Sequence, residues 1–166
     1  MARTFDGRWL GRAGRGGLGA EGISRLAQPD AGAIETVVAA CMPRLRVRER
    51  LLLAGAPALA GLLGNILKRV ITRRRPRFGV FSRKGDQSFP STHVAHAASL
   101  AFAAAEVARR KGQRRWVQAA AASLAATVGL SRLRMRAHWP TDVLAGLVIG
   151  FGSARLASRL TAPRTA

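Results

Sequence analysis

The sequence predicts an all-α, membrane-embedded bundle of about four to five apolar helices. Three observations lead there. The apolar segments are long, rich in Ala and Leu, and bounded by Pro, Gly and charge clusters, which favours helix over strand. Charged residues are confined to the connections and to the segment ends. No polar amphipathic helix remains to wrap segments that are apolar all round, so lipid suits them better than water. A compact soluble helical domain is the competing architecture, and it draws on the modest overall hydropathy.

Taken in order, residues 1–30 are rich in Gly and Arg and contain no apolar run. They predict a flexible or surface-lying basic arm, not a cleaved signal peptide. Residues 31–166 then form a single helical domain. Within it Ala31–Met42 is too short to span a bilayer and carries Glu35, so it suits an interface. Four longer segments follow: Leu51–Leu67, Thr92–Ala108, Trp116–Leu130 and Val143–Leu160. They lie at or just below the length of about 17–20 residues that a spanning helix needs. Basic connections join them at 44–50, 68–87, 109–115 and 131–142. Spanning helices alternate direction, so the second and fourth connections share one face. Every candidate for chemistry falls on those two.

The charge narrows the partners. The 166 residues carry a formal net charge of +20 although 48% of them are hydrophobic. Nucleic acid, an anionic membrane surface and a phosphate-bearing substrate all suit such a charge. Arginine dominates, and its planar fork matches phosphate. Nucleic acid fits poorly, because Tyr is absent and the Trp and Phe residues are scattered instead of forming a stacking platform. Cys41 stands alone, so no intramolecular disulfide can form. His93 and His96 make a His-x2-His pair, but carboxylates are too scarce nearby for a metal site, and no metal or other cofactor is expected.

Three short motifs occupy the shared face. Lys68 and Arg75-Pro76 end the first span. If the helix continues, their spacing of nearly two turns lets both cations point one way, about 10 Å apart. Pro90-Ser91-Thr92-His93 opens the second span, with Ser91 suited to cap the helix and His93 in its first turn. Free N–H groups at such a start bind phosphate. Ser131-Arg132 closes the third span, and His138 and Asp142 flank Pro140 at the start of the fourth. Pro140 fits the first helical position, which sets Thr141 and Asp142 in the first turn. Taken singly, each motif also fits a bland role: a juxtamembrane basic cluster, a capped helix, a polar surface pair.

In order and spacing the three together resemble the signature of the type 2 phosphatidic acid phosphatase family, lipid phosphate phosphatases that share their active site with the vanadium haloperoxidases. The family pattern is Lys-x6-Arg-Pro, then Pro-Ser-Gly-His, then Ser-Arg-x5-His-x3-Asp. One position departs: Thr92 stands where the family has Gly. The stretch His138–Gly146, "HWPTDVLAG", extends the likeness, which covers about residues 51–160.

The resemblance implies that His138 is the nucleophile that attacks phosphorus, with Asp142 orienting it, and that His93 protonates the leaving oxygen. It implies that Lys68, Arg75 and Arg132 hold the phosphoryl oxygens, completed by Ser91 and the backbone amide of Thr92. The implied substrate is a lipid or polyprenyl phosphate, met in a multi-pass cell-membrane protein among membrane lipids. A slight excess of Arg and Lys on the other connections puts the site on the extracytoplasmic face. Family members have about six spans, so the shorter bundle here leaves surface that a homodimer could cover. Two other functions compete: a soluble or peripheral acid-phosphatase-like or haloperoxidase-like enzyme with the same site, and a basic nucleic-acid-binding protein. Gly61, Gly64, Gly146 and Gly150 suit close helix packing. His96 suits a polar lining, and Arg134 and Arg136 suit contact with lipid head groups.

Overall fold

The computed structural model describes residues 45–76, 87–112 and 116–162. The arm at 1–30, the segment Ala31–Met42 and Cys41 lie outside the described residues. Four helices make up the rest: α1 (Val47–Val70), α2 (Thr92–Arg110), α3 (Trp116–Arg134) and α4 (Pro140–Leu160). They correspond in order to the four spanning segments and extend them by up to four residues at either end. No strand occurs among the described residues.

Local chemistry sets the ends. The Arg46 N–H donates to Glu49 Oε2 at 2.9 Å, which satisfies one orphan amide and puts an acid in the first turn of α1. Lys68 and Arg69 lie in its last turn, where cations complement the helix dipole. Ile71 is extended, so α1 ends at Val70. Lys68 and Arg75 therefore do not share a helix, contrary to the expectation from their spacing. Arg73-Arg74-Arg75 would crowd like charges in a further helical turn, and Pro76 disfavours helix at the residue before it. α4 starts as the sequence indicates, with Pro140 at its first turn and Asp142 accepting from the Trp139 N–H at 2.8 Å.

α2 is the central helix and packs against the other three, while α1 and α4 also pack together and α3 touches α4 only lightly. The interior is built of small residues, with Ala56, Ala60, Ala95, Ala98, Ala103 and Ala154 all buried. Many of the large apolar side chains point outward instead, although Leu52, Leu53 and Val94 are buried. Leu62 and Ile66 on α1, Leu124 on α3, and Leu144, Val148 and Leu156 on α4 are all exposed. A water-soluble bundle has the opposite distribution, whereas a bundle in lipid has no reason to hide them. α1 and α4 are long and apolar enough to cross a membrane, with mean hydropathies of 1.6 and 1.4. α2, enclosed by its neighbours, is less dependent on an apolar surface.

Close approach of α4 to α2 depends on two glycines. A Cβ at Gly146 would lie 2.6 Å from the Ser91 carbonyl oxygen, and one at Gly150 would lie 2.6 Å from that of Ala95. Both obstacles are backbone, so neither can swing aside. Gly150→Ala is therefore expected to lower stability by about 1–3 kcal/mol, the usual cost of overpacking. Gly152 faces open space. Gly152→Ala should be neutral or stabilising by up to about 1 kcal/mol, through helix propensity alone. Thermal unfolding of both variants in detergent checks this, and equal shifts would show that the Gly150 contact does not limit packing.

Candidate active site

Antiparallel helices bring the C-terminal ends of α1 and α3 together with the N-terminal ends of α2 and α4. All eight residues singled out in the sequence lie at this end. Lys68 comes from the last turn of α1, and Arg75 from the extended segment after it. Ser91, Thr92 and His93 come from the start of α2, Arg132 from the last turn of α3, His138 from the α3–α4 connection, and Asp142 from the first turn of α4. His93 lies within electrostatic reach of Arg132, His138, Lys68 and Arg75.

Asp142 is completely buried and accepts from three segments. Arg73 Nη1 donates to Oδ1 at 2.9 Å. The Ser88 hydroxyl donates to Oδ2, which also takes the Trp139 N–H. Arg73 additionally donates to Thr141 Oγ1 at 2.5 Å and stacks over the Trp139 ring, 5.5 Å from its centroid. Such saturation is what a buried carboxylate requires.

His138 is 3% exposed. Its Nδ1 lies 2.8 Å from the Ser88 carbonyl oxygen and 3.7 Å from Asp142 Oδ2. A carbonyl can only accept, so Nδ1 carries the proton and Nε2 keeps its lone pair. The direct orienting contact is thus the Ser88 backbone, with Asp142 one step behind.

The cations surround this pair. Arg75 Nη1 donates to the Ala137 carbonyl at 3.1 Å, which fixes the guanidinium beside the histidine loop. Burial pulls Arg75 below the ordinary arginine value, against the opposing pull of Asp142. Lys68 Nζ reaches the Gln87 carbonyl at 3.4 Å. Arg132 is 1% exposed and within electrostatic reach of Arg75. Lys68, Arg75 and Arg132 thus crowd together where Asp142 is the one carboxylate among the described residues, and Arg73 already occupies it. An anion fits this end.

Ser91 departs from the expectation of a capping side chain. It occupies the N-cap position of α2, yet its hydroxyl makes no cap hydrogen bond and is buried with no partner among the described residues. Its N–H donates to the Asp142 carbonyl at 3.1 Å, so backbone contact does the fastening and leaves Oγ for another acceptor. Thr92 turns its methyl toward Gly64, where a Cβ would come within 2.9 Å of Cγ2. The larger residue at this position is thus accommodated by a missing side chain on α1. His96, one turn beyond His93, faces Gly61 in the same way, and its Nδ1 is buried without a partner among the described residues. Arg134, the last residue of α3, and Arg136 in the α3–α4 connection are both exposed, and Arg136 adopts a positive φ of 49°.

Two residues here escaped sequence reasoning. Arg73 was detectable: an extended segment before a proline puts residues two apart on one face, so Arg73 accompanies Arg75 while Arg74 points outward. Ser88 left no such trace, because half of its contribution is a carbonyl that any residue would supply.

Comparison with known proteins agrees with this arrangement. Residues 50–166 match the sequence model of the PAP2 superfamily. The decaprenylphosphoryl-5-phosphoribose phosphatase of Mycolicibacterium smegmatis is 36% identical over 144 residues, which cover 81% of this chain and 74% of that one. A lipid A 1-phosphatase of Rhizobium johnstonii is 35% identical over 101 residues, 55% of this chain and 39% of that one, so this chain matches well under half of its length. Among solved structures, the transmembrane PAP2-type phosphatidylglycerolphosphate phosphatase of Bacillus subtilis superposes with a TM-score of 0.77 at 25% identity, covering 95% of this chain and 80% of that one.

The site makes a pH prediction. Burial, chiefly, and then the Arg75 charge push His138 down to about 4, although the Ser88 and Asp142 contacts pull the other way. Between about pH 6.5 and pH 4 the unfolded chain therefore binds a proton at this residue that the folded chain does not. Its contribution to stability is lost as pH falls through that window and is constant above it. Imidazole NMR should show His138 neutral at pH 5.5, and His138→Gln should flatten the stability slope below pH 6.5. A midpoint near 6.5 would contradict the buried environment.

Proposed function

From the premise that the chain belongs to the PAP2 superfamily, we propose that it is an integral membrane phosphatase acting on the phosphomonoester or pyrophosphate of a lipid or isoprenoid phosphate through a phosphohistidine. The observation that carries this reading is the meeting of three cations with a histidine whose Nδ1 is tied to a carbonyl, which leaves Nε2 as the nucleophile.

His138 Nε2 attacks phosphorus, the N–P bond forms and the bond to the leaving oxygen breaks. His93 gives that oxygen its proton, so the alcohol, or the shorter phosphate of a pyrophosphate, departs neutralised. Water then attacks phosphorus and gives a proton to His93, while the N–P bond breaks and inorganic phosphate is released. Lys68, Arg75 and Arg132 offset the charge on the equatorial oxygens, helped by the Ser91 hydroxyl and the Thr92 N–H at the start of α2. Phosphoryl transfer demands mainly such positioning and charge stabilisation.

The outward Leu, Ile and Val residues of α1, α3 and α4 favour the membrane enzyme over a soluble or peripheral one. In this reading the helices form a multi-pass protein of the cell membrane, with the site on the extracytoplasmic face. The two curated relatives are phosphatases of a decaprenyl phosphate derivative and of lipid A. Both names describe a phosphate carried by a membrane-anchored lipid, which supports that substrate class here.

Phosphate release from a panel of lipid and isoprenoid phosphates in detergent micelles tests the reading. Activity should survive a strong chelator and be blocked by vanadate, which mimics the trigonal-bipyramidal transition state. His138→Ala should abolish turnover and the acid-labile phosphoenzyme, and His93→Ala should slow formation of that species by about 10²–10⁴-fold. Loss of activity on chelation with recovery on adding Mg²⁺, or a fully active His138→Ala protein, would overturn the mechanism.

A further inference from the structure

Resting on the reading of His138 as nucleophile, we propose that Ser88 is a positioning residue for that nucleophile, and that Asp142 acts on His138 through Ser88 instead of by direct contact. Three distances carry the inference. His138 Nδ1 is within hydrogen-bond range of the Ser88 carbonyl at 2.8 Å and out of range of the Asp142 carboxylate at 3.7 Å. The Ser88 hydroxyl donates to Asp142 Oδ2, the carboxylate oxygen nearest the ring. The Ser88 N–H in turn donates to the Arg73 carbonyl at 2.7 Å.

Ser88 is therefore held at three points. Its amide fastens it to the extended segment after α1, its hydroxyl to α4, and its carbonyl to the histidine. It is completely buried, so water does not replace any of these bonds. Asp142 has little freedom to turn toward the ring, since Oδ1 takes Arg73 and Oδ2 takes both the Trp139 N–H and the Ser88 hydroxyl. The carboxylate thus fixes the backbone that fixes the tautomer. Its charge still reaches the imidazole through space and favours the cationic character that His138 acquires on phosphorylation. Ser88 touches no reacting atom, and its effect lies in aim and tautomer.

The test compares Ser88→Ala, Ser88→Thr and His138→Ala in full-length protein in detergent micelles, with turnover of a short-chain phosphatidic acid as the assay. Ser88→Ala keeps the carbonyl and removes the donor. It should lower kcat by roughly 10- to 100-fold, as loss of a partner that orients a histidine does, with KM little changed. Ser88→Thr, which restores the hydroxyl, should recover most of kcat. Ser88→Ala in an Asp142→Asn background should add little further loss, because both changes cut the same link. If Ser88→Ala is recovered unfolded, Ser88→Cys, of similar size and a weak donor, carries the test with the same expected direction. An inactive His138→Ala beside an unimpaired Ser88→Ala would overturn this inference alone. So would fully additive losses at Ser88 and Asp142. An active His138→Ala protein would overturn the underlying mechanism instead.

Discussion

A single buried carboxylate ties this end of the bundle together. Asp142 is the point at which the segment after α1, the segment before α2 and the first turn of α4 meet, through Arg73, Ser88 and the Trp139 N–H respectively. A buried charge is tolerated only when its lone pairs are occupied, and removing one donor leaves the rest exposed to that cost. The connections around it inherit their positions. Ser88 sits where its carbonyl meets His138, the Arg73–Arg75 segment runs extended past the site, and Ser91 is fastened by its N–H to the Asp142 backbone.

That convergence depends in turn on how closely the helices can approach. Gly146 lies one turn below Asp142 and faces the Ser91 carbonyl, so a side chain there would push α4 away from the start of α2. Gly64 does the same for α1, giving the Thr92 methyl its space. The departure from the family pattern at Thr92 is thus a packing exchange between two helices. It leaves the backbone amide of residue 92 at the helix start, where its donor is independent of side-chain identity. Small residues inside and large ones outside are two aspects of one solution: in lipid, helix association gains from close packing and has no need to hide apolar surface.

The parts of this arrangement that the sequence disclosed are those with a period or a motif. The four helices were legible from their long Ala- and Leu-rich runs, and Pro140 correctly marked the start of α4 because its ring suits a first helical turn. The end of α1 was not, because the Lys68–Arg75 spacing suits a helix and only the repulsion among consecutive arginines and the restraint from Pro76 argue otherwise. Ser91 looked like a capping residue by type, but the cap bond is absent where the backbone is fastened from α4. The partner of His138 was beyond sequence reasoning. His138 and Asp142 are four residues apart and suggest a direct bond, yet a carbonyl fifty residues earlier in the chain accepts the hydrogen bond from Nδ1. Tertiary contacts between backbone and side chain carry no residue-type signal.

The distribution of charge sets apart the two ends of the bundle, and the candidate site lies at the helix ends and connections of one of them. At the opposite end, cations and acids are matched locally: Glu106 pairs with Arg109 and Arg110, and Glu49 with Lys111. At the Asp142 end, Lys68 and Arg132 lie within electrostatic reach of Arg75, while Asp142 forms its ion pair with Arg73. Mutual repulsion among three partly or fully buried cations opposes their convergence, and the bundle tolerates it because helix packing and the Asp142 bonds fix the backbone beforehand. Under the proposed mechanism a bound phosphate dianion would offset that repulsion. In that mechanism the relief would grow as charge builds on the phosphoryl oxygens, since the cations need not reorganise to meet it. Under the proposed mechanism, cations whose mutual repulsion opposes folding would favour the transition state most. That link would make the same residues both expensive to hold together and effective in the proposed catalysis.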